Sequence, residues 1–178
     1  MLDKRQQIRN SIIYMLPLGM SSVLPLITIP IFTRILTPED YGILALAMIY
    51  AIFMGGLANF GVSVAYERNY FQYHEDPRKL AQLLFSSLVF VMTNFVVLAV
   101  ITYLFQGNLS VFLTGSDQHG TLIMSAFVAH FFYSIANNFF FIYYKNSEEA
   151  KTYTKYKILC TVLNFIIALF LVVYIRLG

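Results

Sequence analysis

The stretch PIFTRILTPEDYG, residues 30–42, separates two long apolar runs and decides how the rest of the chain is interpreted. Thr37 is placed to cap the N-terminus of a helix, and Pro38 suits the first helical position because no amide hydrogen is needed there. Glu39 and Asp40 then put negative charge at the positive end of the helix dipole. The stretch therefore predicts a tight polar turn, with a helix that begins at about Pro38.

The runs on either side of this turn are long enough to cross a bilayer. Residues 11–33 and 41–66 contain no Asp, Glu, Lys or Arg, and a helix needs about 17–25 predominantly apolar residues to span the hydrocarbon core. Two such helices joined by a polar turn are expected to form a membrane hairpin.

The composition extends this interpretation to the whole chain. Hydrophobic residues make up 58% and charged residues 12% of the sequence, whereas roughly a quarter of a soluble domain is charged. The runs do not alternate between polar and apolar residues, which excludes a membrane barrel. We expect an all-α integral membrane protein that forms a single membrane domain over residues 1–178, with helices at about residues 11–33, 38–66, 80–105, 121–144 and 158–175.

The segments between these helices carry most of the charge. Residues 67–79, 106–120 and 145–157 are expected to be loops, and the N-terminus and two of these loops hold ten of the twelve Lys and Arg residues. The excess of positive charge on one side predicts a multi-pass protein of the cell membrane with a cytoplasmic N-terminus. The net charge of +3 therefore reflects topology and indicates no nucleic-acid partner.

The first predicted helix contains three prolines, Pro17, Pro25 and Pro30. Each interior proline removes a backbone hydrogen bond, and a membrane helix tolerates this only where neighbours or water satisfy the freed carbonyl. The prolines are compatible with static kinks and with a helix that moves.

The second predicted helix places small and polar residues on one ridge. They follow at four-residue steps, so they share one helix face: Ala47, Ala51, Gly55, Asn59 and Ser63. Small residues favour close helix packing, which we expect for the first half of the ridge. Asn59 and Ser63 are better suited to a wet cavity.

The fourth predicted helix also has a polar face. His130, Ser134, Asn137 and Asn138 are spaced by four, seven and eight residues. A single membrane histidine is compatible with a hydrogen bond to another helix and with a titrating site. Polar faces on several helices favour a solute pathway through the bundle.

The motifs of an enzyme are missing from the sequence. There is no glycine-rich phosphate loop, paired-histidine metal motif or serine elbow, and the topology assigns His74, His119 and His130 to different places. Cys160 is the single cysteine, which excludes a disulfide framework within the chain. We expect no catalysis, no cofactor and no metal site.

Several residues carry a resemblance to a known family. They are Pro30, Thr33, Arg34, the stretch 36–42, the Asn59-Phe60-Gly61 triplet, Ala65, and Glu67-Arg68 with Tyr70 and Phe71. In these residues the chain resembles the N-terminal part of the polysaccharide-biosynthesis membrane proteins, the Wzx-type lipid-linked oligosaccharide flippases of the MOP exporter superfamily. The resemblance implies twelve or more helices in two lobes around a cavity. The chain would then be the five-helix N-terminal part of such a transporter, a truncated form without the C-terminal lobe.

The resemblance also implies a function and partners. The expected activity is transbilayer export of a polyprenyl-diphosphate-linked oligosaccharide for cell-surface polysaccharide synthesis, with the bilayer, the missing lobe or a second copy as further partners. Arg34 and Arg68 are the candidate diphosphate ligands, because guanidinium groups bind phosphate oxygens bidentately. Asn59, Ser63, His130, Asn137 and Asn138 are the candidate lining residues. Ordinary interfacial anchoring by both arginines stays open.

Two alternatives remain open. A multidrug or cation antiporter of the same superfamily would need a carboxylate inside a span, and the predicted spans contain none. A structural membrane subunit without transport would use the polar faces only to hold helices together.

Overall fold

In the computed structural model the backbone is described for residues 4–177 and the side chains for residues 8–166, and this part of the chain is helical with no strand. Eight α-helices follow in order: α1 Lys4–Ile35, α2 Pro38–Asn59, α3 Val62–Tyr73, α4 Pro77–Leu104, α5 Gln106–Thr114, α6 Gly120–Ile135, α7 Phe141–Asn146 and α8 Ala150–Leu177. A 3-10 turn, Asp117–His119, precedes α6, and a π-helical turn, Ala136–Phe140, joins α6 to α7. The all-α membrane fold is confirmed.

Within the part of the chain that the structure describes, four segments are long and apolar enough to cross a membrane. They are Ile8–Ile35, Pro38–Asn59, Pro77–Leu104 and Asp117–Asn146. The fifth predicted span, residues 158–175, falls within α8, but side chains from residue 167 onward lie outside the described residues. The fifth crossing therefore stays a prediction.

The turn between α1 and α2 has the predicted capping residues. The Thr37 hydroxyl donates to Asp40 Oδ2 at 2.7 Å, and the Asp40 amide donates back to the Thr37 hydroxyl at 3.2 Å. The Thr37 amide also donates to Asp40 Oδ2, at 2.8 Å. This reciprocal pair satisfies amides that the first helical turn leaves without partners, so α2 begins at Pro38 as predicted.

Contacts divide the chain into two compact units. One is formed by Met1–Asp40 together with Tyr143–Gly178, and the other by Tyr41–Ile142. In the first unit α1 packs on α8. The Thr154 hydroxyl of α8 donates to the Ile13 carbonyl of α1 at 2.9 Å, and the Tyr14 and Tyr153 rings meet edge to face at 5.2 Å. The first and last helices of the chain therefore form one unit.

The second unit has an aromatic core between α2, α4 and α6. Phe95 of α4 stacks on Phe131 of α6 with ring centroids 3.7 Å apart, and Phe127 of α6 meets Tyr50 of α2 edge to face at 6.1 Å. The Tyr50 hydroxyl hydrogen-bonds the Thr102 hydroxyl of α4 at 2.6 Å. These contacts fix the three membrane-crossing helices of this unit to one another.

The structure corrects several predicted boundaries. The helix predicted over residues 38–66 ends at Asn59, and α3 occupies much of the predicted loop 67–79. The predicted loop 106–120 contains α5, and α8 begins within the predicted loop 145–157. In each case polar or glycine residues predict a loop, but a helix accommodates them where their polar groups are bonded to neighbouring protein groups.

Candidate functional site

An open groove of about 430 Å³ follows one face of α3. Its lining consists of Gly61, Val64, Ala65, Arg68, Asn69 and Gln72, which we call the α3 groove. Arg68 is exposed, and among the side chains described, residues 8–166, no carboxylate forms an ion pair with its guanidinium. The α3 groove therefore presents a solvent-accessible cation beside two side-chain amides.

A sharp break between α2 and α3 shapes one end of this groove. Phe60 and Gly61 have φ values of 48° and 77°, in the left-handed region that glycine tolerates best. Asn59 Oδ1 accepts a hydrogen bond from the Ser63 amide at 3.1 Å, and Asn59 Nδ2 donates to the Ser63 hydroxyl at 2.8 Å. The Asn59 side chain thus satisfies the first turn of α3.

The other side of the break is capped by α4. Asn94 Nδ2 donates to the Ala58 carbonyl at 3.2 Å, near the C-terminus of α2 where backbone carbonyls lack helical donors. Two asparagines therefore stabilise the break, one on each side. Asn59 and Ser63 therefore have a structural role. Ser63 is buried, the two side chains are hydrogen-bonded to each other, and neither residue lines the α3 groove.

The face of α3 opposite the groove is anchored by aromatic rings. Tyr66 is 1% exposed, and its ring lies 5.6 Å from that of Phe139, which is also 1% exposed. Phe139 belongs to the π-helical turn. The position of α3, and with it that of Arg68, is therefore set by contact with this turn.

His130 lies against the small-residue ridge of α2. A Cβ atom on Gly55 would stand 3.0 Å from Cδ2 of the His130 ring, so a larger residue there would require the ring to shift by a few tenths of an ångström. Ala47, Ala51 and Gly55 are buried, which confirms close packing for this half of the ridge. His130 thus fills space between two helices.

Asn137 and Asn138 lie in the π-helical turn. Asn137 Nδ2 donates to the Tyr133 carbonyl at 2.6 Å, and Asn138 Nδ2 donates to the Ser134 hydroxyl at 2.8 Å. The amide of Phe141 reaches the Ala136 carbonyl five residues earlier, the spacing that defines the π turn. Both asparagines are therefore partly engaged in bonds within their own helix.

The predicted site residues do not all converge. Asn59 and Ser63 meet at the break that begins α3, and Arg68 follows on the same helix. Arg34 is exposed in the last turn of α1, in the first unit. Among the described residues, no group of three or more His, Cys, Asp or Glu side chains could hold a metal ion.

Sequence reasoning missed Asn69, Gln72 and Asn94. Gln72 stands four residues after Arg68 and three after Asn69, so a helix across this segment places Gln72 next to both of them. The sequence predicts a loop here, and that prediction does not include this helical spacing. The role of Asn94 cannot be recognised from the sequence, because its partner is the backbone carbonyl of Ala58 on another helix.

A second cationic segment follows the α3 groove at the start of α4. The Asp76 carboxylate accepts hydrogen bonds from the amides of Lys79 and Arg78, and the Lys79 amide in particular holds the pKa of Asp76 below its usual range. Lys79 Nζ lies 3.4 Å from Asp76 Oδ2. Arg78 is exposed and lies outside the groove.

These helices define a multi-pass membrane protein with small polar sites at helix breaks. A family model described as polysaccharide biosynthesis protein matches residues 8–177. The chain belongs to this family, whose members are transporter-like membrane proteins, and membership indicates a role in membrane export. No curated protein and no solved structure matches the chain.

Proposed function

We propose that this protein takes part in moving a polyprenyl-diphosphate-linked oligosaccharide across the cell membrane, from the cytoplasmic side, for the synthesis of surface polysaccharide. The family supports an export role. The sequence resemblance supports the lipid-linked substrate. A diphosphate needs cationic and hydrogen-bonding partners that can be reached from the membrane surface.

The observation that carries this proposal is the exposed Arg68 in the α3 groove. The guanidinium offers a planar set of donors that matches two phosphate oxygens. Asn69 and Gln72 line the same groove and supply amide groups for sugar hydroxyls or further phosphate oxygens. Val64, 71% exposed, gives the groove an apolar side that suits the first part of a polyprenyl chain.

Substitution of Arg68 tests this assignment. Loss of a charge-assisted bidentate contact costs about 1.5–3 kcal/mol, which corresponds to about ten- to a hundredfold weaker binding. We expect Arg68→Ala to reduce surface polysaccharide strongly in cells that depend on this protein. Arg68→Lys should be intermediate, because lysine keeps the charge and loses the planar geometry.

The matched control is Arg78→Ala, which removes an exposed arginine outside the groove. It should leave surface polysaccharide unchanged. Variant abundance in the membrane must be equal by immunoblot. Normal polysaccharide in the Arg68→Ala strain would remove Arg68 from substrate binding and leave interfacial anchoring as its role. Equal function of lysine and arginine would show that a positive charge is sufficient at this position and that the planar bidentate geometry is not required.

A structural role without transport is the second candidate, and one observation favours it. The polar side chains of Asn59, Ser63, Asn94 and Asn138 are bonded to neighbouring protein groups, as they would be in a bundle held together by polar contacts. In this case substitutions of the residues that line the α3 groove would leave the amount of surface polysaccharide unchanged. Disruption of the helix contacts alone would then lower the assembly of a partner complex.

A further inference from the structure

The short helix α5 buries polar side chains and exposes apolar ones, which is the opposite of what a helix at the surface of a soluble protein does. Ser110 is completely buried, whereas Phe112 is 84%, Phe105 58% and Val111 50% exposed. Phe105, the residue that precedes α5, and Phe112 are seven residues apart, so they lie on one side of this segment, and the exposed Asn108 lies between them on that side. The outward face of α5 is therefore mostly apolar and uncharged.

The polar side of α5 is satisfied by protein. The Ser110 hydroxyl donates to the Ser116 carbonyl at 2.5 Å and accepts from the His119 amide at 3.1 Å. The Thr114 hydroxyl donates to the Ser110 and Ser116 carbonyls at 2.8 and 3.1 Å. Gly120 lets α6 approach closely, since a Cβ atom there would stand 3.0 Å from the Gln106 carbonyl oxygen.

This arrangement is the one expected where the surrounding solvent is hydrocarbon. In lipid, polar groups need internal partners and apolar side chains face outward. In water, the exposure of these aromatic rings would be unfavourable.

The neighbouring surface extends the same apolar environment. A single residue, Phe105, separates the end of α4 from the start of α5. The outward side chains Val97, Val100 and Leu104 of α4 are 53%, 53% and 70% exposed. The sequence has no Asp, Glu, Lys or Arg from residue 80 to residue 116. The lipid-facing surface of α4 is thus continuous with that of α5, and charge returns only at Asp117.

We propose that α5 is embedded in the bilayer leaflet at this end of α4, with Phe105, Val111 and Phe112 in contact with lipid acyl chains. The chain then reaches the aqueous boundary at the 3-10 turn Asp117–His119. α5 is thus a short helix inserted in the membrane between the crossing formed by α4 and the one that begins at Asp117, and its partner is the lipid. This inference is independent of the substrate proposed above.

The experiment uses the absence of tryptophan from this sequence. Phe112→Trp supplies a single fluorescent reporter on the outward face of α5. Phe85→Trp, at a 71% exposed position within α4, is the lipid-facing reference, and Gln118→Trp, at an exposed position in the 3-10 turn, is the aqueous reference. Each variant is reconstituted into vesicles of phosphatidylcholine with and without brominated acyl chains.

We expect Trp emission from the Phe112→Trp variant to be blue-shifted, quenched by brominated lipid and protected from aqueous acrylamide, as for Phe85→Trp. The Gln118→Trp variant should show the opposite response to both quenchers. Acrylamide quenching without bromine quenching at position 112 would place α5 in water. Protection from both quenchers would show that protein covers the face. Either result overturns the proposal.

Discussion

The hydrogen bond from Thr154 to Ile13 shows how one residue makes a membrane proline tolerable. Pro17 is fully buried and has no amide hydrogen for the carbonyl four residues earlier, which belongs to Ile13. The Thr154 hydroxyl supplies the missing donor at 2.9 Å. The requirement that neighbours satisfy freed carbonyls is therefore met at this proline by α8.

A double-mutant cycle tests this relation. Thr154→Val keeps the side-chain shape and removes the hydroxyl, so we expect it to lower the free energy of unfolding in mild detergent by about 0.5–2 kcal/mol. In a Pro17→Ala background the backbone amide of residue 17 can satisfy the carbonyl. The cost of Thr154→Val should then fall close to zero.

The cycle compares the cost of Thr154→Val in the wild-type protein with its cost in the Pro17→Ala protein, so any stability change that Pro17→Ala causes by itself cancels. An equal cost of Thr154→Val in both backgrounds would mean that the hydroxyl does not act through the Ile13 carbonyl. Thr154→Ser is the matched control, because it keeps the hydroxyl and should retain most of the stability.

At the scale of the element, the π-helical turn inserts extra backbone into one membrane-crossing segment. The turn Ala136–Phe140 places Phe139 against Tyr66, on the face of α3 opposite the groove, and so packs this segment on α3. A π turn contains one residue more than the α-helical path between the same end points. Removal of one residue should therefore restore a continuous α-helix without changing the register on either side.

Deletion of Asn138 should be tolerated far better than deletion of Val128 in the middle of α6. Deleting a residue from a regular α-helix rotates everything that follows by about 100° and shifts it by about 1.5 Å. We expect the protein without Asn138 to remain folded and monodisperse in detergent, with a modestly lower melting temperature. The variant without Val128 should aggregate, because the core residues Phe127 and Phe131 would no longer share a face.

Size-exclusion profiles and thermal melts of the two deletion variants provide the measurement. Equal damage from both deletions would show that the π turn is not a one-residue insertion that the fold can lose. Tyr66 fluorescence cannot be isolated among thirteen tyrosines, so the Tyr66–Phe139 contact is better followed by crosslinking between cysteines at these positions.

At the scale of the whole molecule, the charge distribution predicts the orientation in the membrane. In a Cys160→Ser background, Gln118→Cys should react with an impermeant thiol reagent on intact cells and Lys151→Cys should not, because the lysine-rich segment is expected inside. We place the cysteine at Gln118 and not at Gly115, three residues earlier, because the φ of 75° at Gly115 disfavours any larger residue. Labelling of Lys151→Cys alone would reverse the orientation.

The extent to which the sequence predicts this fold depends on whether a feature is local. The Thr37–Asp40 cap is predicted correctly because all its partners lie within four residues. The sequence does not predict the break after Asn59, because one of its stabilising contacts, from Asn94 to the Ala58 carbonyl, joins residues thirty-six positions apart along the chain. The sequence does not predict α5, because the glycines, Asn108 and the Ser116-Asp117 pair of residues 106–120 are typical of a loop, and the hydrogen bonds of Ser110 to Ser116 and His119 are not visible in the sequence.

The candidate site follows the same rule. Arg68 is recognisable from its position after an apolar run, but its groove exists only because α3 is a helix separated from α2. Asn137 and Asn138 are recognisable as polar residues in a span, whereas the π turn that contains them follows from backbone hydrogen bonding that no short motif specifies.

The bond between Thr154 and Ile13 also has a consequence for biosynthesis. Its two residues are 141 positions apart, so a ribosome adding about 5–20 residues per second needs roughly 7–30 s between them. During that interval α1 must wait in the translocation machinery or the bilayer with its proline-freed carbonyl satisfied by water or by another protein. The contact between α1 and α8 therefore forms long after α1 itself has been made, and this delay gives membrane quality-control proteases time to act on chains in which α8 has not yet packed on α1.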